Sequence, residues 1–222
     1  APQSDDIAAF REHAKEELAH YAKGCADVEY RYPFGWKEVE GIASRTDFDL
    51  KAHQAASGKG LSYLDEATKQ WVVPYVIEPS CGVDRAFLVV LTEAYEEETK
   101  ANGESRVVLH LHPKLAPVQV GIYPLVKKDG MPERGRQIFD ALKGTFRCQY
   151  DESATVGKRY ARGDEVGVPF GVTIDSDTLK DGVVTVRDRD TMLQDKVHER
   201  ELAAFLAERV RTWTRTDPGL AE

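Results

Sequence analysis

The chain has 222 residues, of which 41% are hydrophobic and 9% aromatic, so it can bury either one large core or two smaller ones. Its formal net charge of −8, taken over the whole chain, argues against a nucleic-acid-binding protein whose affinity depends on phosphate contacts, and no DNA partner is expected. No apolar run is long enough to span a bilayer, and the first ten residues lack the pattern of a signal peptide, so we expect a cytoplasmic protein with no membrane partner.

The predicted elements of the first half are an amphipathic helix followed by antiparallel sheet. The helix is predicted behind a possible cap at Ser4, from apolar residues that recur every three or four positions: Ile7, Phe10, Ala14, Leu18 and Tyr21. The period then changes to that of strands, and "PFGW" and the polar residues 65–70 predict hairpin connections. A second helix is predicted after Gly82, and the acidic stretch "EEETKANGES" is typical of a linker.

The second half alternates strands and helices, which predicts an α/β domain. Strands are predicted in "RVVLHL", "VQVGIYPLV", "FRCQY", "PFGVTID" and "VVTVRDR", and the loop between the last two ends in a turn signal, Asp181-Gly182. Helices are predicted in "PERGRQIFDALKG", which Pro132 can open, in "SATVGKRYARGDE", and over a periodic face from Leu193 to Trp213. The domain bounds expected from this pattern are 1–100 and 106–215, giving an α+β protein.

The cysteines and histidines of the chain are not spaced along the sequence as metal ligands usually are. Cys25, Cys81 and Cys148 lie far apart and form no CxxC pair, so neither a disulfide framework nor a structural zinc site is predicted. His110 and His112 alternate onto one face of a strand without a carboxylate or thiol partner nearby in the sequence, and exposed histidines are the favoured interpretation. We therefore predict that the three cysteines are free thiols and that the chain has no metal-binding residues.

The stretch "VIEPSCGVDRAF", residues 76–87, places charge where a strand is expected to pass into a helix. Glu78 follows an apolar run, where a bare carboxylate is costly unless a cation meets it. Pro79 is expected to end the strand, and Ser80 and Gly82 to form a tight turn. The helix N-terminus and Arg85 in its first turn suit phosphate. An amino acid bound beside ATP fits this pairing, although residue types alone favour a structural ion pair and a solvated helix start.

Long segments of the chain resemble a known family. "EPSCGVDR" resembles the third signature motif of class II aminoacyl-tRNA synthetases, in the form used by glycyl-tRNA synthetases. "PFGWKEVEGIASRTDFDLKAH" and "VPYVIEPSCGVDRAFL" resemble the latter half of that family's catalytic domain. "YDESATVGKRYARGDEVGVPFGVTID" and "VTVRDRDTM" resemble its anticodon-binding domain. The resemblance implies part of a class II antiparallel sheet with helices, followed by an anticodon-binding domain with a mixed five-stranded sheet.

The resemblance also implies the residues of a site for glycine and ATP. The glycine-binding pocket would be lined by Glu78, Pro79, Ser80, Cys81 and Gly82, and Glu78 would accept a hydrogen bond from the ammonium group of the substrate. This role requires that the chain itself leaves the Glu78 carboxylate unpaired. ATP would be contacted by Glu38, Val39, Gly82, Val83, Asp84 and Arg85, with Arg85 as the catalytic cation. Mg²⁺ is expected with the phosphates, and Glu38 is one possible ligand.

In this family the glycine carboxylate attacks the α-phosphorus of ATP, and the glycyl adenylate then transfers glycine to tRNA-Gly. The first two class II motifs are not found, and "FREH" at 10–13 only faintly resembles the second, so we expect a part of such a ligase that is inactive alone. The full-length enzyme is expected to be a homodimer. A non-catalytic synthetase-like accessory protein and an isolated tRNA-binding module are the alternatives.

The second half is the better candidate for contact with tRNA. Residues 1–105 carry 11 Lys and Arg against 20 Asp and Glu, whereas residues 106–222 carry 19 against 18. Positive charge is supplied there by Lys127, Lys128, Arg134, Arg136, Lys158, Arg159 and Arg162, although a solvated helix face is the alternative. "RDRD" at 187–190 is interpreted either as part of that surface or as charges that protect a sheet edge.

Overall fold

In the computed structural model, which describes residues 7–99 and 103–214, the chain divides into two units, Ala1–Thr92 and Glu93–Glu222. They are called unit 1 and unit 2. Unit 1 is built on a sheet of four antiparallel strands in the order β1-β2-β3-β6. These strands are β1 (Ala8–Glu12), β2 (Gly24–Tyr32), β3 (Gly35–Ser44) and β6 (Ile77–Cys81). The hairpin of β2 and β3 confirms the connection predicted at "PFGW".

The remaining elements of unit 1 are two helices and a small hairpin. Helix α1 (Phe48–Ser57), which the sequence pattern did not predict, ends at Gly58, whose φ of 69° lies in the left-handed region that glycine adopts readily. Strands β4 (Tyr63–Asp65) and β5 (Gln70–Val72) form the hairpin expected around residues 65–70. Helix α2 (Val83–Ala94) follows Gly82 and confirms the helix predicted there.

The helix predicted at the start of the chain is wrong. Residues 8–12 form β1, and only a single 3₁₀ turn, Lys15–Glu17, is helical before β2. Phe10 pairs with Val28 across the sheet and its side chain remains 64% exposed, so the helical spacing of apolar residues does not mark a buried face. Main-chain pairing with β2 outweighs a weak helical pattern. The proposed cap, Ser4, lies outside the described residues.

Unit 2 contains a five-stranded sheet in the order β10-β9-β11-β12-β13. The strands are β9 (Val120–Pro124), β10 (Cys148–Tyr150), β11 (Phe170–Ile174), β12 (Val183–Asp188) and β13 (Gln194–His198). β9 pairs in parallel with both β10 and β11, whereas the β11–β12 and β12–β13 pairs are antiparallel. The predicted α+β class with a mixed five-stranded sheet is therefore confirmed.

The helices of unit 2 are α3 (Met131–Leu142), α4 (Val156–Glu165), α5 (Ser176–Asp181) and α6 (Glu199–Thr212). Pro132 occupies the first turn of α3, as expected. The predicted loop before β12 contains α5, and Gly182 ends that helix with a φ of 71°. The last helix begins six residues later than Leu193, because residues 194–198 pair with β12 as β13.

The stretch predicted as a linker is also different in the structure. Residues 95–99 form β7 (Tyr95–Thr99), which pairs antiparallel with β8 (Ser105–Leu109). Residues 100–102, between these strands, lie outside the described part of the chain. The acidic residues 96–98 form a strand because their backbone is hydrogen-bonded to β8. The charge pattern of the sequence did not indicate this pairing.

The hydrophobic core of the described residues lies in unit 2. It packs the sheet against α3 and α6 through fully or almost fully buried side chains: Val120, Ile122, Phe170, Val172, Ile174, Val184, Val186, Leu202 and Leu206. Unit 1 buries fewer apolar residues, among them Ala26, Tyr30 and Tyr32, and leaves large ones exposed, including Phe34, Trp71, Tyr75, Val83 and Phe87. None of the helices in the described ranges has the length and hydrophobicity needed to cross a membrane.

Candidate functional site

One face of the unit 1 sheet presents Glu78 and Ser80 above small residues. In the β3–β6 pairing, Glu78 lies opposite Ala43 and Ser80 opposite Gly41. Side chains alternate between the two faces of a strand, so these four residues share one face. Because Gly41 has no side chain and Ala43 has only a methyl group, the sheet surface beside the Glu78 carboxylate and the Ser80 hydroxyl is not covered by larger side chains.

Glu78 is not unpaired, so that expectation is wrong. Arg45 Nη1 lies 2.9 Å from Glu78 Oε2. The same guanidinium also binds Asp49, with Nε 2.6 Å from Oδ2 and Nη2 3.0 Å from Oδ1, and it lies 4.2 Å from the centre of the Tyr21 ring. These hydrogen bonds from Arg45 lower the pKa of Asp49. Two carboxylates therefore share one cation, and this cluster keeps one negative charge that a small ammonium could neutralise.

Sequence reasoning assigned no role to Arg45 or Asp49, although both lie in the quoted stretch "SRTDFDL". Arg45 follows the last residue of β3 and Asp49 lies in the first turn of α1, so the helical i,i+4 rule does not apply to this pair and gave no signal. The contact between Arg45 and Glu78 joins residues 33 positions apart. No local pattern indicates such a contact.

The turn expected at residues 80–82 is also wrong. β6 continues through Pro79 and Ser80 to Cys81, which lies opposite Glu40. Proline is tolerated within β6 because this strand is at the edge of its sheet, where a missing N–H breaks no ladder bond. The Gly82 N–H donates to the Val39 carbonyl over 3.2 Å, and the Ala86 N–H donates to the Gly82 carbonyl at the start of α2.

Arg85 lies where the expected ATP residues come together. Its Nη1 donates to the Glu38 carbonyl over 2.6 Å and is 3.4 Å from Glu38 Oε2. Its side chain lies over Gly82, because a Cβ added at Gly82 would lie 3.6 Å from three Arg85 carbons. The Arg85 side chain is 52% exposed, so the guanidinium is accessible from solvent. Val83 and Asp84 are exposed in the same helical turn, where the first backbone N–H groups lack intrahelical acceptors.

The basic residues predicted to contact tRNA differ in their exposure and in whether a carboxylate neutralises them. Arg159 is 2% exposed and donates to backbone carbonyls that include those of Ser153 and Ala154, so it holds the loop before α4 and cannot contact a ligand. Arg134 is paired with Glu199, and Arg162 with Asp151. The exposed members are Lys127, Lys128, Arg136, Lys158 and Arg162, of which Arg136 also lies 3.8 Å from a Glu152 carboxylate oxygen.

A cleft of about 710 Å³ lies beside the edge strand β10. Its lining includes Lys127, Arg136, Phe139, Gln149 and Tyr150. Arg136 lies 4.2 Å from the centre of the Tyr150 ring. Burial, followed by the hydrogen bond to Glu152, raises the pKa of Tyr150 to about 12. The cleft thus combines exposed cations, aromatic faces and the free backbone edge of a strand.

The charged residues of "RDRD" are not edge charges, and His110 is not exposed. β12 lies between β11 and β13, and Arg189 is fully buried. His110 is 6% exposed, with Nδ1 2.7 Å from Asp190 Oδ1 and Nε2 2.9 Å from Glu98 Oε1. Its carboxylate partners lie on β7, 12 residues away, and in the turn after β12, 80 residues away, so ligand spacing along the chain did not reveal them.

Comparison with known proteins identifies relatives along most of the chain. Residues 119–209 match the family model described as "Anticodon binding domain". A glycine–tRNA ligase of Macrococcus caseolyticus is 51% identical over 202 residues, which cover 91% of this chain and 43% of that protein. The chain is thus similar to glycine–tRNA ligases over about nine tenths of its own length. The glycine–tRNA ligase of Clostridium acetobutylicum is 46% identical over 202 residues, which again cover 91% of this chain and 43% of that protein. That of Geobacillus kaustophilus is 48% identical over 206 residues, 93% of this chain and 44% of the relative.

The predicted resemblance to glycyl-tRNA synthetases is thereby confirmed. The chain spans less than half the length of the curated relatives it matches. The family model lies within unit 2 and includes all five strands of its sheet, from β9 to β13. Unit 1 is covered by the relatives and not by that model.

Proposed function

We propose that this chain supplies the glycine-binding face, part of the ATP site and the anticodon-reading domain of a glycine–tRNA ligase. The observation that carries the proposal is the arrangement on unit 1, where Glu78 and Ser80 lie above Gly41 and Ala43 while Arg85 contacts Glu38. The homology supports the assignment, since relatives with that name match 91% of the chain.

Glycine would bind with its ammonium against Glu78, although Arg45 already pairs with this carboxylate. The role then rests on charge: among the described contacts Glu78 and Asp49 share one cation, Arg45, so an incoming ammonium would neutralise the negative charge left on this cluster. Pro79, Cys81 and Gly82 would shape the backbone around Ser80. Selection of glycine would be steric, because larger amino acids would require room at the α-carbon.

ATP would bind beside the first turn of α2. Arg85 would stabilise the charge that develops on the α-phosphate as the glycine carboxylate attacks, and it would serve as the catalytic cation by contacting that phosphate. Glu38, Val39, Val83 and Asp84 would line the nucleotide. Catalysis would depend on positioning and charge stabilisation, without a covalent intermediate on Ser80 or Cys81.

The residues present fit the magnesium that this chemistry needs. Glu38 Oε2 is 3.4 Å from Arg85, beyond a normal hydrogen bond, so the carboxylate can offer an oxygen to a hard cation. Glu38 would hold Mg²⁺ together with phosphate oxygens. When bound, the ion would neutralise phosphate charge.

The cleft beside β10 is the proposed contact with the anticodon of tRNA-Gly. Unpaired anticodon bases are recognised by stacking on aromatic or guanidinium planes and by hydrogen bonds to their edges. Tyr150 and Arg136 offer such planes, and Lys127 offers charge for a phosphate. A homodimer of the complete ligase is part of the proposal.

The test of the active site uses a chimera in which this chain replaces the matching part of the Macrococcus caseolyticus ligase. We expect glycine-dependent exchange of pyrophosphate into ATP. Glu78→Gln should raise the KM for glycine at least about tenfold, because a charged hydrogen bond to the ammonium is lost. Glu66→Gln, on the exposed turn between β4 and β5, is the matched control and should leave KM unchanged.

A folded chimera that binds tRNA-Gly but shows no exchange would contradict the ligase proposal and favour a non-catalytic accessory protein. The pairing of Glu78 with Arg45 is the observation that keeps this alternative open. Binding of tRNA is tested separately on the 222-residue chain by gel shift. Retention of tRNA-Gly should exceed that of an unrelated tRNA and fall in Arg136→Glu. It should be unaffected in Lys180→Glu, whose side chain is 80% exposed on α5.

A further inference from the structure

A second polar cluster on unit 1, to which the proposed function gives no role, consists of His13, Cys25 and Asp27. It shares the sheet face of the proposed glycine site, because Cys25 lies opposite Ala43 and Asp27 opposite Gly41. The His13 N–H donates to the Cys25 carbonyl over 2.9 Å, which continues the β1–β2 pairing by one residue. His13 therefore lies opposite Cys25, and Asp27, two residues further along β2, projects from the same face. His13 Nε2 is 2.7 Å from Asp27 Oδ2.

The three side chains can each direct one ligand atom to a common point. An imidazole nitrogen, a thiol sulfur and a carboxylate oxygen all lie within 4.8 Å of one another. Around tetrahedral zinc, whose bonds to N, S and O are about 2.0–2.3 Å, ligand atoms are about 3.3–3.8 Å apart. The His13–Asp27 contact must lengthen by about 1 Å, and the Cys25 sulfur must approach by at most about 1.5 Å, which rotation about side-chain bonds allows.

The surroundings of the cluster permit an ion to enter. Asp27 is 8% exposed, whereas His13 and Cys25 are half-buried, so solvent reaches the side on which a water could complete four ligands. Arg11 Nη1 is 3.6 Å from Asp27 Oδ2, beyond hydrogen-bond distance, and Arg11 Nη2 is 2.7 Å from Glu17 Oε1. Glu17 can therefore keep this cation while Asp27 turns to a metal.

We propose that His13, Cys25 and Asp27 form a binding site for a thiophilic divalent cation, represented by Zn²⁺. A set with one sulfur and one imidazole nitrogen favours such an ion over Mg²⁺ or Ca²⁺, which prefer oxygen ligands. Binding replaces the thiol proton of Cys25 with the metal and releases that proton to solvent. Its ligand set differs from Glu38, the residue assigned to Mg²⁺, although both carboxylates border Gly41: a Cβ added there would lie 3.4 Å from Glu38 Oε1 and 3.7 Å from Asp27 Oδ1.

The test titrates Co²⁺, and then Zn²⁺, into the 222-residue chain. Co²⁺ should produce the near-ultraviolet charge-transfer band of a thiolate ligand, and Zn²⁺ should remove it. Cys25→Ser should abolish the band, and His13→Gln should weaken Zn²⁺ binding at least about tenfold, as for loss of a ligand. Cys81→Ser and Cys148→Ser are the matched controls and should retain the band.

A second measurement needs no variant. Zn²⁺ should slow alkylation of Cys25 in the unmodified chain, followed by mass spectrometry, and leave the exposed Cys81 unchanged. A band that persists in Cys25→Ser overturns the proposal. Zn²⁺ binding without a thiolate band or protection of Cys25 also overturns it, because the ion would then occupy another site such as the cluster of Glu96, Glu98 and His110.

Discussion

At the residue scale, buried charges in unit 2 join strands and loops that are far apart in the sequence. Asp190 accepts hydrogen bonds from His110 Nδ1 and Trp213 Nε1, each over 2.7 Å, and from Arg189. Arg189 also donates to the Gly167 and Leu111 carbonyls. Burial alone would raise the pKa of Asp190, but the hydrogen bonds from His110 and Arg189 hold it well below its usual range.

Asp190→Asn is expected to lower the free energy of unfolding by about 3 kcal/mol, because removing one partner leaves buried cations uncompensated. Urea unfolding followed by circular dichroism measures the change. Asp140→Asn is the matched control, since Asp140 is exposed and pairs only with Lys143 among the described contacts. It should change the value by less than about 0.5 kcal/mol. If the two variants lower the free energy of unfolding equally, the hydrogen bonds of Asp190 with His110, Arg189 and Trp213 do not stabilise the fold more than an exposed ion pair does.

Asp151 gives the chain a dependence of stability on pH. Burial raises its pKa, but hydrogen bonds from Ser153 and Arg162 outweigh this effect and lower the pKa to about 2. The folded state therefore binds this proton less readily than the unfolded state, whose Asp has a pKa of about 3.9. The resulting stabilisation is complete above the unfolded pKa and is lost as pH falls from about 4 to about 2.

Asp151→Asn should accordingly flatten the fall in unfolding free energy between about pH 5 and about pH 2. The loss attributable to Asp151 in the unmodified chain is about 2 kcal/mol, since one pKa unit corresponds to about 1.4 kcal/mol. Urea titrations at a series of pH values measure it. An unchanged slope in the variant would contradict the role assigned to Asp151, and Asp177→Asn, on an exposed helix turn, supplies the control slope.

At the element scale, α4 approaches the sheet closely because Gly171 has no side chain. A Cβ at this position would lie 2.5 Å from Tyr160 Cε1 and 3.1 Å from Tyr123 Cε2. Tyr160, on α4, and Tyr123, on β9, pack edge to face with ring centres 5.5 Å apart. The Tyr160 and Thr173 hydroxyls are hydrogen-bonded over 2.6 Å. These contacts fix the distance between the helix and the sheet.

Gly171→Ala should therefore destabilise unit 2 by about 1–3 kcal/mol, the usual cost of overpacking a close-packed interior. Thermal unfolding of the chain measures the effect. Gly144→Ala is the matched control, because a Cβ there would meet nothing within 4 Å and no left-handed backbone is required. It should leave stability unchanged or raise it slightly. A Gly171→Ala variant as stable as the control would mean that α4 can move away from the sheet without cost.

At the scale of the whole molecule, the two units differ in how much apolar surface they bury. The continuous core of unit 2 includes side chains with no exposure, such as Val120, Val172 and Val184. In unit 1, every residue of β6 is exposed, and Val83 and Phe87 on α2 are 81% and 63% exposed. Apolar burial is the main source of folding free energy, so unit 1 should be the less stable part of the chain.

Hydrogen exchange followed by mass spectrometry should show this difference directly. Amides of β9, β11 and β12 should exchange through global unfolding of unit 2, whereas those of β6 and α2 should exchange at least about tenfold faster. Peptides from β13, a strand at the edge of the same sheet, provide an internal comparison within unit 2. Equal protection of β6 and β11 would contradict the expected difference in stability.

Much of this architecture was determined by local patterns in the sequence. The β2–β3 hairpin, strands β9 to β12 of the five-stranded sheet, α3 behind Pro132 and α4 follow from alternation, turn residues and helical periodicity close to one another along the chain, whereas β13 was predicted as helix. The motif around Glu78 and Arg85 likewise indicated the resemblance to glycyl-tRNA synthetases.

Only the tertiary structure decided which residues these elements and charges contact. Residues 8–12 form a strand because β2 offers a main-chain partner, and residues 95–99 pair with β8. Glu78 is paired because Arg45, distant in the sequence, reaches it, and Arg159 is buried because four backbone carbonyls surround it. The physical reason is the same in each case. The free energy of a strand or a charge depends on its partners, and those partners are brought near only by the folded chain.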